Sequence, residues 1–238
     1  MLEILKEIIL EKVNLEEVET DIYSVLKEDE RASDYDDKVK GYDALIGNKW
    51  YNKLIWKSDV AMYHDFCVEA LNGHRANMVL DAGCGSLVFT AKAYASSTNQ
   101  QIVLLDRSLG MLRKAKERLQ ALCEGKIPEH IILIQGDIFD LPFVDNAFDV
   151  VMSQGLLHMF DDKERLLTEL ERVKQESGTI FFTSLVGNNL FAKGYLSLLE
   201  KAGEVATVYD SEALVSILKR MPFEYKIETI GNMAYMRG

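Results

Sequence analysis

A chain of 238 residues, 48% hydrophobic and 27% charged, has the length for one large α/β core or two small ones, and the composition of neither a disordered chain nor a membrane bundle. Twenty-seven Lys and Arg against 38 Asp and Glu leave a formal net charge of -11, a surface that repels phosphate backbones and argues against a nucleic-acid partner. Cys67, Cys84 and Cys123, with four His and no HExxH or CxxC pairing, suggest neither a disulfide framework nor a metal site, so no metal is expected.

The N-terminal MLEILKEIILEKV breaks its apolar residues with Glu and Lys and has no small-residue cleavage site, which reads as an amphipathic helix and not a secretion signal. No run approaches about 18 apolar residues, so no membrane span is expected and the expected location is cytoplasmic. Helical spacing continues through Leu15, Val18, Ile22, Val25 and Leu26 with a break near Asn14. This predicts a helical appendage that docks on the main domain or on a second subunit, the latter giving a homodimer through N-terminal helices.

A polar stretch, KEDERASDYDD, follows at 27–37, and then Tyr42, Trp50 and Tyr51 stand among Gly41 and Gly47 in a poorly periodic segment. Clustered aromatics there suit either satellite core or a lid over a ligand. Residues 1–54 are thus read as an N-terminal helical cap and lid, and residues 55–238 as the body of the same domain, opening with a helical pattern over 55–72.

From Met78 the pattern alternates. MVLDAG, QIVLLD, HIILIQGD, AFDVVMSQ and GTIFFTS are short apolar runs separated by helical segments at 87–97, 110–124 and 162–175. Strands alternating with helices imply parallel, right-handed crossovers with ligand loops at the carboxyl ends of the strands. Residues 185–221 supply further helix, with Asp210 or Ser211 as a cap before Leu214, and Pro222 ends it. FEYKIETI and MAYMRG then read as a terminal strand pair at a mixed-sheet edge, completing a doubly wound, mostly parallel seven-stranded α/β sheet.

The first of these runs continues as Asp81-Ala82-Gly83-Cys84-Gly85-Ser86, where two glycines let the backbone turn tightly and approach a ligand. A dinucleotide fold calls for a glycine at Val88 and a P-loop for Gly-Lys-Ser/Thr, and neither is present. Asp81, two residues before Gly83, is poorly placed for pyrophosphate and well placed for a cation. Asp106, in LLDRS, can accept both hydroxyls of a ribose or serve as a strand-end cap. Asp137 can accept an adenine amino group, with Ile138 as an apolar wall to the ring. Three successive strand ends therefore carry three carboxylates.

This set resembles the class I S-adenosylmethionine-dependent methyltransferase family, in its branch of quinone-biosynthesis and other small-molecule methyltransferases, over roughly residues 35–184. The resemblance implies a Rossmann-like methyltransferase fold, S-adenosyl-L-methionine as cofactor and a small-molecule methyl acceptor. VLDAGCG is similar to the family's first motif, so Asp81, Gly83, Cys84 and Gly85 are implied to hold the methionine part. Leu87 stands where a third glycine is frequent.

By the same resemblance Asp106 takes the ribose, Arg107 flanks it, Met111 begins the helix near the adenine, and Asp137 and Ile138 are the adenine-proximal pair. LPFVDNAFDVVMSQGLLHMFDD resembles the family's fourth-strand segment, implying that Ser153 and Gln154 lie beside the cofactor. Tyr35 is implied to touch the cofactor's carboxylate end and Tyr42 to line the acceptor site.

Methyl transfer from a sulfonium is an in-line displacement that positioning alone can accelerate, without metal or covalent intermediate. An oxygen or carbon acceptor can need a base; His158, just beyond the fourth strand, is the candidate, with a structurally hydrogen-bonded His as the competing reading. A non-catalytic module binding the same cofactor is the alternative function.

Overall fold

The computed structural model describes residues 2–32, 55–57, 59–73, 76–98 and 100–238. Tyr35, Tyr42, Trp50 and Tyr51 lie outside the described residues.

The N-terminal segment begins as helix α1 (Leu2–Ile8), but its second half is a hairpin of β1 (Glu16–Glu19) and β2 (Ile22–Ser24) and not the helix that its spacing predicts. Asp21, in the turn, has a φ of 63°, a left-handed conformation that Asp tolerates and that halts a helix. β2 then finds a partner far along the chain, with Ile22 opposite Leu133 in parallel register, a tertiary contact that outweighs local periodicity. α1 docks on the domain itself: Leu5 is 0% exposed within one of the two main cores. The Leu10 and Val144 amides bond Pro142 and Ile8 carbonyls at 2.9 and 2.8 Å.

The remaining elements follow the expected alternation. They are α2 (Ala61–Leu71), β3 (Met78–Ala82), α3 (Ala91–Ser96), β4 (Gln101–Asp106), α4 (Leu109–Leu122), β5 (Ile131–Gln135) and β6 (Phe148–Ser153). There follow α5 (Lys163–Val173), β7 (Lys174–Leu185), α6 (Leu190–Lys201), α7 (Ser211–Leu218), β8 (Lys226–Ile230) and β9 (Met233–Arg237). Among the described residues four helices begin on side-chain caps: Ser108, Asp162, Asn189 and Asp210 accept from the amides of Met111, Arg165, Ala192 and Ala213.

One sheet of nine strands runs β1-β2-β5-β4-β3-β6-β7-β9-β8. The seven expected strands are its β5-to-β8 part, and the N-terminal hairpin adds two. β2, β5, β4, β3, β6 and β7 are mutually parallel, while β9 lies antiparallel between β7 and β8.

Strand alternation divides the core between the two faces. Leu80, Ala82, Leu105 and Ile134 face α1, α5 and α7, while Val79, Ile102, Leu104 and Leu133 face α2, α3 and α4. The chain steps outward from β3 to β4 and β5, then returns to β6 on the other flank of β3. The crevice at that reversal, outside the carboxyl ends of the strands, is where such sheets take ligands.

Candidate functional site

Two glycines shape the loop after β3. Gly83 and Gly85 have φ of 78° and 59°, a region glycine enters without steric cost. The Gly83 and Cys84 amides both donate to the Leu105 carbonyl, at 2.7 and 3.0 Å, which draws the loop over the end of β4. A Cβ on Gly83 would meet the Leu156 side chain at 2.4 Å, whereas one on Gly85 would project into open space. Leu87 keeps the left-handed turn that a glycine would make, with φ of 58°, and its side chain is buried at 2% exposure. Packing there offsets a backbone cost of about 1–2 kcal/mol.

The carboxylates are stepped across the strand ends: Asp81 stands opposite Leu104, two residues before Asp106, and Asp106 opposite Gln135, two residues before Asp137. Asp106 accepts from the Gly85 amide at 2.8 Å with one oxygen and from the Ser108 amide at 2.9 Å with the other. Asp137 accepts from the Phe139 amide at 2.8 Å and holds the turn in which Ile138 is buried. Met111 is buried at the start of α4.

Asp81 is 2% exposed; the Tyr94 hydroxyl donates to its Oδ2 at 2.6 Å, and Oδ1 has no partner. Burial pushes its carboxyl up to about 7, against the pull of the Tyr94 hydrogen bond and with a further push from Asp106. Burial likewise raises the Cys84 thiol well above its ordinary range, with the Asp106 and Asp81 charges adding to it.

Further buried polar atoms gather at the same strand ends. Ser153 Oγ, both amide atoms of Gln154 and one terminal nitrogen of Arg107 lack partners. Leaving such groups unpaired costs about 1–3 kcal/mol each; Gln101 and His130 each leave one such atom at the opposite strand ends, and the larger group at this edge suits a polar ligand. A buried carboxylate oxygen is satisfied by a cation, and amide, hydroxyl and guanidinium groups by a nucleoside and an amino-acid carboxylate. The residues present fit S-adenosylmethionine.

His158, the candidate base, accepts a backbone hydrogen bond. It sits in a 3-10 turn, Leu157–Met159, and its Nδ1 accepts from the Leu185 amide at 3.3 Å. Burial, with the Lys163 ammonium nearby, drives its imidazole down to about 3, so it is neutral and weakly basic. It lines a cavity of about 10 Å³, with Lys163, Ser184, Thr207 and Tyr209 among the walls, room for about one water. These features favour the hydrogen-bonding role over the proton-transfer one.

Three positioning residues escaped sequence reasoning. Gln135, a polar end to an apolar strand, bonds Ser24 through Oε1 and the carbonyls of Arg31 and Arg107 through Nε2, at 3.0, 2.7 and 3.0 Å. Thr183 Oγ1 accepts from the Gly155 amide at 2.7 Å, steadying the loop after β6. Tyr94 reads as ordinary core, and nothing in its spacing signals Asp81. Among the described residues no group of three His, Cys, Asp or Glu is arranged for a metal ion, and no helix is long and apolar enough to cross a membrane.

Residues 80–182 match a family model described as a methyltransferase domain. The chain is 31% identical over 119 residues to the malonyl-[acyl-carrier protein] O-methyltransferase of Serratia marcescens, covering 50% of this chain and 42% of that protein. It is 28% identical over 185 residues to a ubiquinone/menaquinone biosynthesis C-methyltransferase of Stutzerimonas stutzeri, covering 74% of this chain and 70% of that one. Several of the curated relatives it matches are thus spanned over less than half their length. A crystal structure of an S-adenosylmethionine-dependent methyltransferase from Thermotoga maritima superposes with a TM-score of 0.59 at 17% identity, covering 86% of this chain and 97% of that one. The matched stretch runs from β3 into β7 and holds Asp81, Asp106 and Asp137. Residues 80–182 are thus similar to a methyltransferase domain, on a fold shared with a solved S-adenosylmethionine-dependent methyltransferase.

Proposed function

We propose that the protein transfers the methyl group of S-adenosylmethionine to a small-molecule acceptor. The observation that carries this reading is the set of unpartnered buried polar atoms on Asp81, Arg107, Ser153 and Gln154. They lie at the strand ends around a topological switch point, within a stretch that matches a methyltransferase domain. S-adenosylmethionine, when bound, supplies an electrophilic methyl on a positively charged sulfur.

Each residue then has a task. Asp81 Oδ1 takes the cationic amino-acid end, with Gly83, Cys84 and Gly85 giving close backbone approach. Asp106 accepts the ribose hydroxyls, and Arg107 and Met111 border the nucleoside. Asp137 receives the adenine amino group and Ile138 covers the ring. Ser153 and Gln154 face the reacting side. Rate then comes from alignment and from excluding water.

A flat, apolar acceptor suits this site. Tyr63 and Phe89 stack at 5.0 Å between ring centroids, and the Tyr63 hydroxyl stands 3.7 Å from where a Cβ on Gly155 would be. One relative's described role in quinone biosynthesis supports the same class. A cytoplasmic location is part of this reading, resting on composition. A homodimer through the N-terminal segment draws less support, because Leu5 is committed to the domain's own core.

The test is turnover: purified full-length protein, S-adenosylmethionine and pools of quinols, catechols and phenols, with S-adenosylhomocysteine formation measured. Acceptor-dependent product supports the reading. Cofactor binding without turnover across acceptor classes would favour the non-catalytic alternative.

A further inference from the structure

Asp81 leaves β3 on the side opposite to its neighbours Leu80 and Ala82, and so points toward the layer of α2 and α3. There it meets Tyr94 of α3 and, one step further, Cys67 of α2, both 0% exposed. The Tyr94 hydroxyl donates to Asp81 Oδ2 at 2.6 Å, and the buried Cys67 thiol is close enough to the same phenol that each raises or lowers the other's titration. A phenol and a carboxylate thus form a buried pair whose other carboxylate oxygen, Oδ1, has no partner.

A carboxylate anchored by one oxygen presents the other in a single direction. We propose that Tyr94 is a positioning residue for the cofactor's cationic end: by holding Oδ2 of Asp81, it fixes Oδ1 as the oxygen offered to the ligand's ammonium group. This rests on the functional reading above and adds a residue to it that neither spacing nor family resemblance singles out. A plain core tyrosine would fill space equally well with its ring, so the hydroxyl is the group at issue.

The electrostatics agree with the geometry. Burial raises the Asp81 carboxyl to about 7, the Tyr94 hydrogen bond opposes that rise, and the charge of Asp106 at the end of β4 adds to it. Cys67 and Cys84, the other titratable groups around Asp81, are both raised and therefore remain neutral thiols. Removing the phenol oxygen takes away the one interaction named here that favours the ionised carboxylate.

Calorimetric titration of the full chain with S-adenosylhomocysteine between pH 5.5 and 9 tests this in wild type, Tyr94→Phe, Asp81→Asn and the double variant. Tyr94→Phe is expected to bind about tenfold more weakly at pH 7, in line with loss of a hydrogen bond to a charged group. The midpoint of its affinity-against-pH curve should lie higher, and part of the loss should persist at pH 9, where the carboxylate is ionised in both proteins but anchored only in wild type. In the Asp81→Asn background the same change should alter affinity less than about twofold.

Unchanged affinity and midpoint in Tyr94→Phe, whatever its melting temperature, would overturn the proposal. So would an equal loss in both backgrounds. Failure of wild type itself to bind would instead remove the functional reading, and this proposal with it. Should Tyr94→Phe not fold, the Tyr94 hydroxyl proton in wild-type NMR spectra decides: it shifts on ligand addition if phenol and ligand share the carboxylate, and a stationary signal contradicts the claim.

Discussion

Gly83 and Gly85 share a left-handed backbone but not their surroundings, and this separates stability from binding. Gly83→Ala drives a Cβ to 2.4 Å from Leu156, so it should destabilise the fold by about 2–4 kcal/mol, combining the backbone cost with overpacking. Gly85→Ala meets nothing within 4 Å and should cost about 1–2 kcal/mol by backbone strain alone, while abolishing measurable S-adenosylhomocysteine binding. Thermal melts paired with calorimetry distinguish the two, and equal effects of both variants on both measurements would contradict the assignment of the open side to the ligand.

His158→Asn preserves an acceptor for the Leu185 amide. Turnover should therefore fall less than about tenfold, against the roughly 10²–10⁴-fold expected on removing a general base. The acidic tips were legible because Asp after an apolar run is uncommon and ends a strand visibly. The state of His158 was not, because its neutrality depends on a cavity built by residues 184–214, far along the chain.

Helix α1 and the hairpin behind it show where periodicity serves and where it fails. α1 places Leu5 fully inside the core, so Leu5→Ala should destabilise the monomer by about 2–5 kcal/mol in denaturant unfolding. A concentration-dependent loss would point instead to a second subunit. The strands from β3 to β7 were legible because continuous apolar runs of five or six residues between helical segments admit few alternatives. β1 and β2 have four and three residues, too few for a period to decide, and are specified by pairing, β1 with β2 and β2 with β5. The buried polar tie between Ser24 and Gln135, at 3.0 Å, is likewise invisible until both ends are in place.

A net charge of -11 sets the molecule's long-range field, yet the pH response that matters comes from one buried acid. Asp81 titrates near 3.8 when unfolded and near 7 when folded, so between those values the folded state keeps a proton that the unfolded state has lost. Its contribution to stability is therefore greatest in acid and declines as pH rises from about 4 to about 7, with no further change above. A cation at Oδ1 favours the ionised form, so binding releases that proton. Stabilisation by S-adenosylhomocysteine in thermal melts should accordingly be larger at pH 8 than at pH 5.5, and the opposite trend would exclude Asp81 as the cation's partner.

The central claim is that neighbouring strand tips hold one adenosyl ligand, and calorimetric titration of wild type and Asp106→Ala with S-adenosylhomocysteine tests it most directly. The account predicts one site per chain in wild type and at least about tenfold weaker binding in the variant, with both proteins folded. No heat at millimolar ligand, or equal affinity in the two proteins, would contradict it.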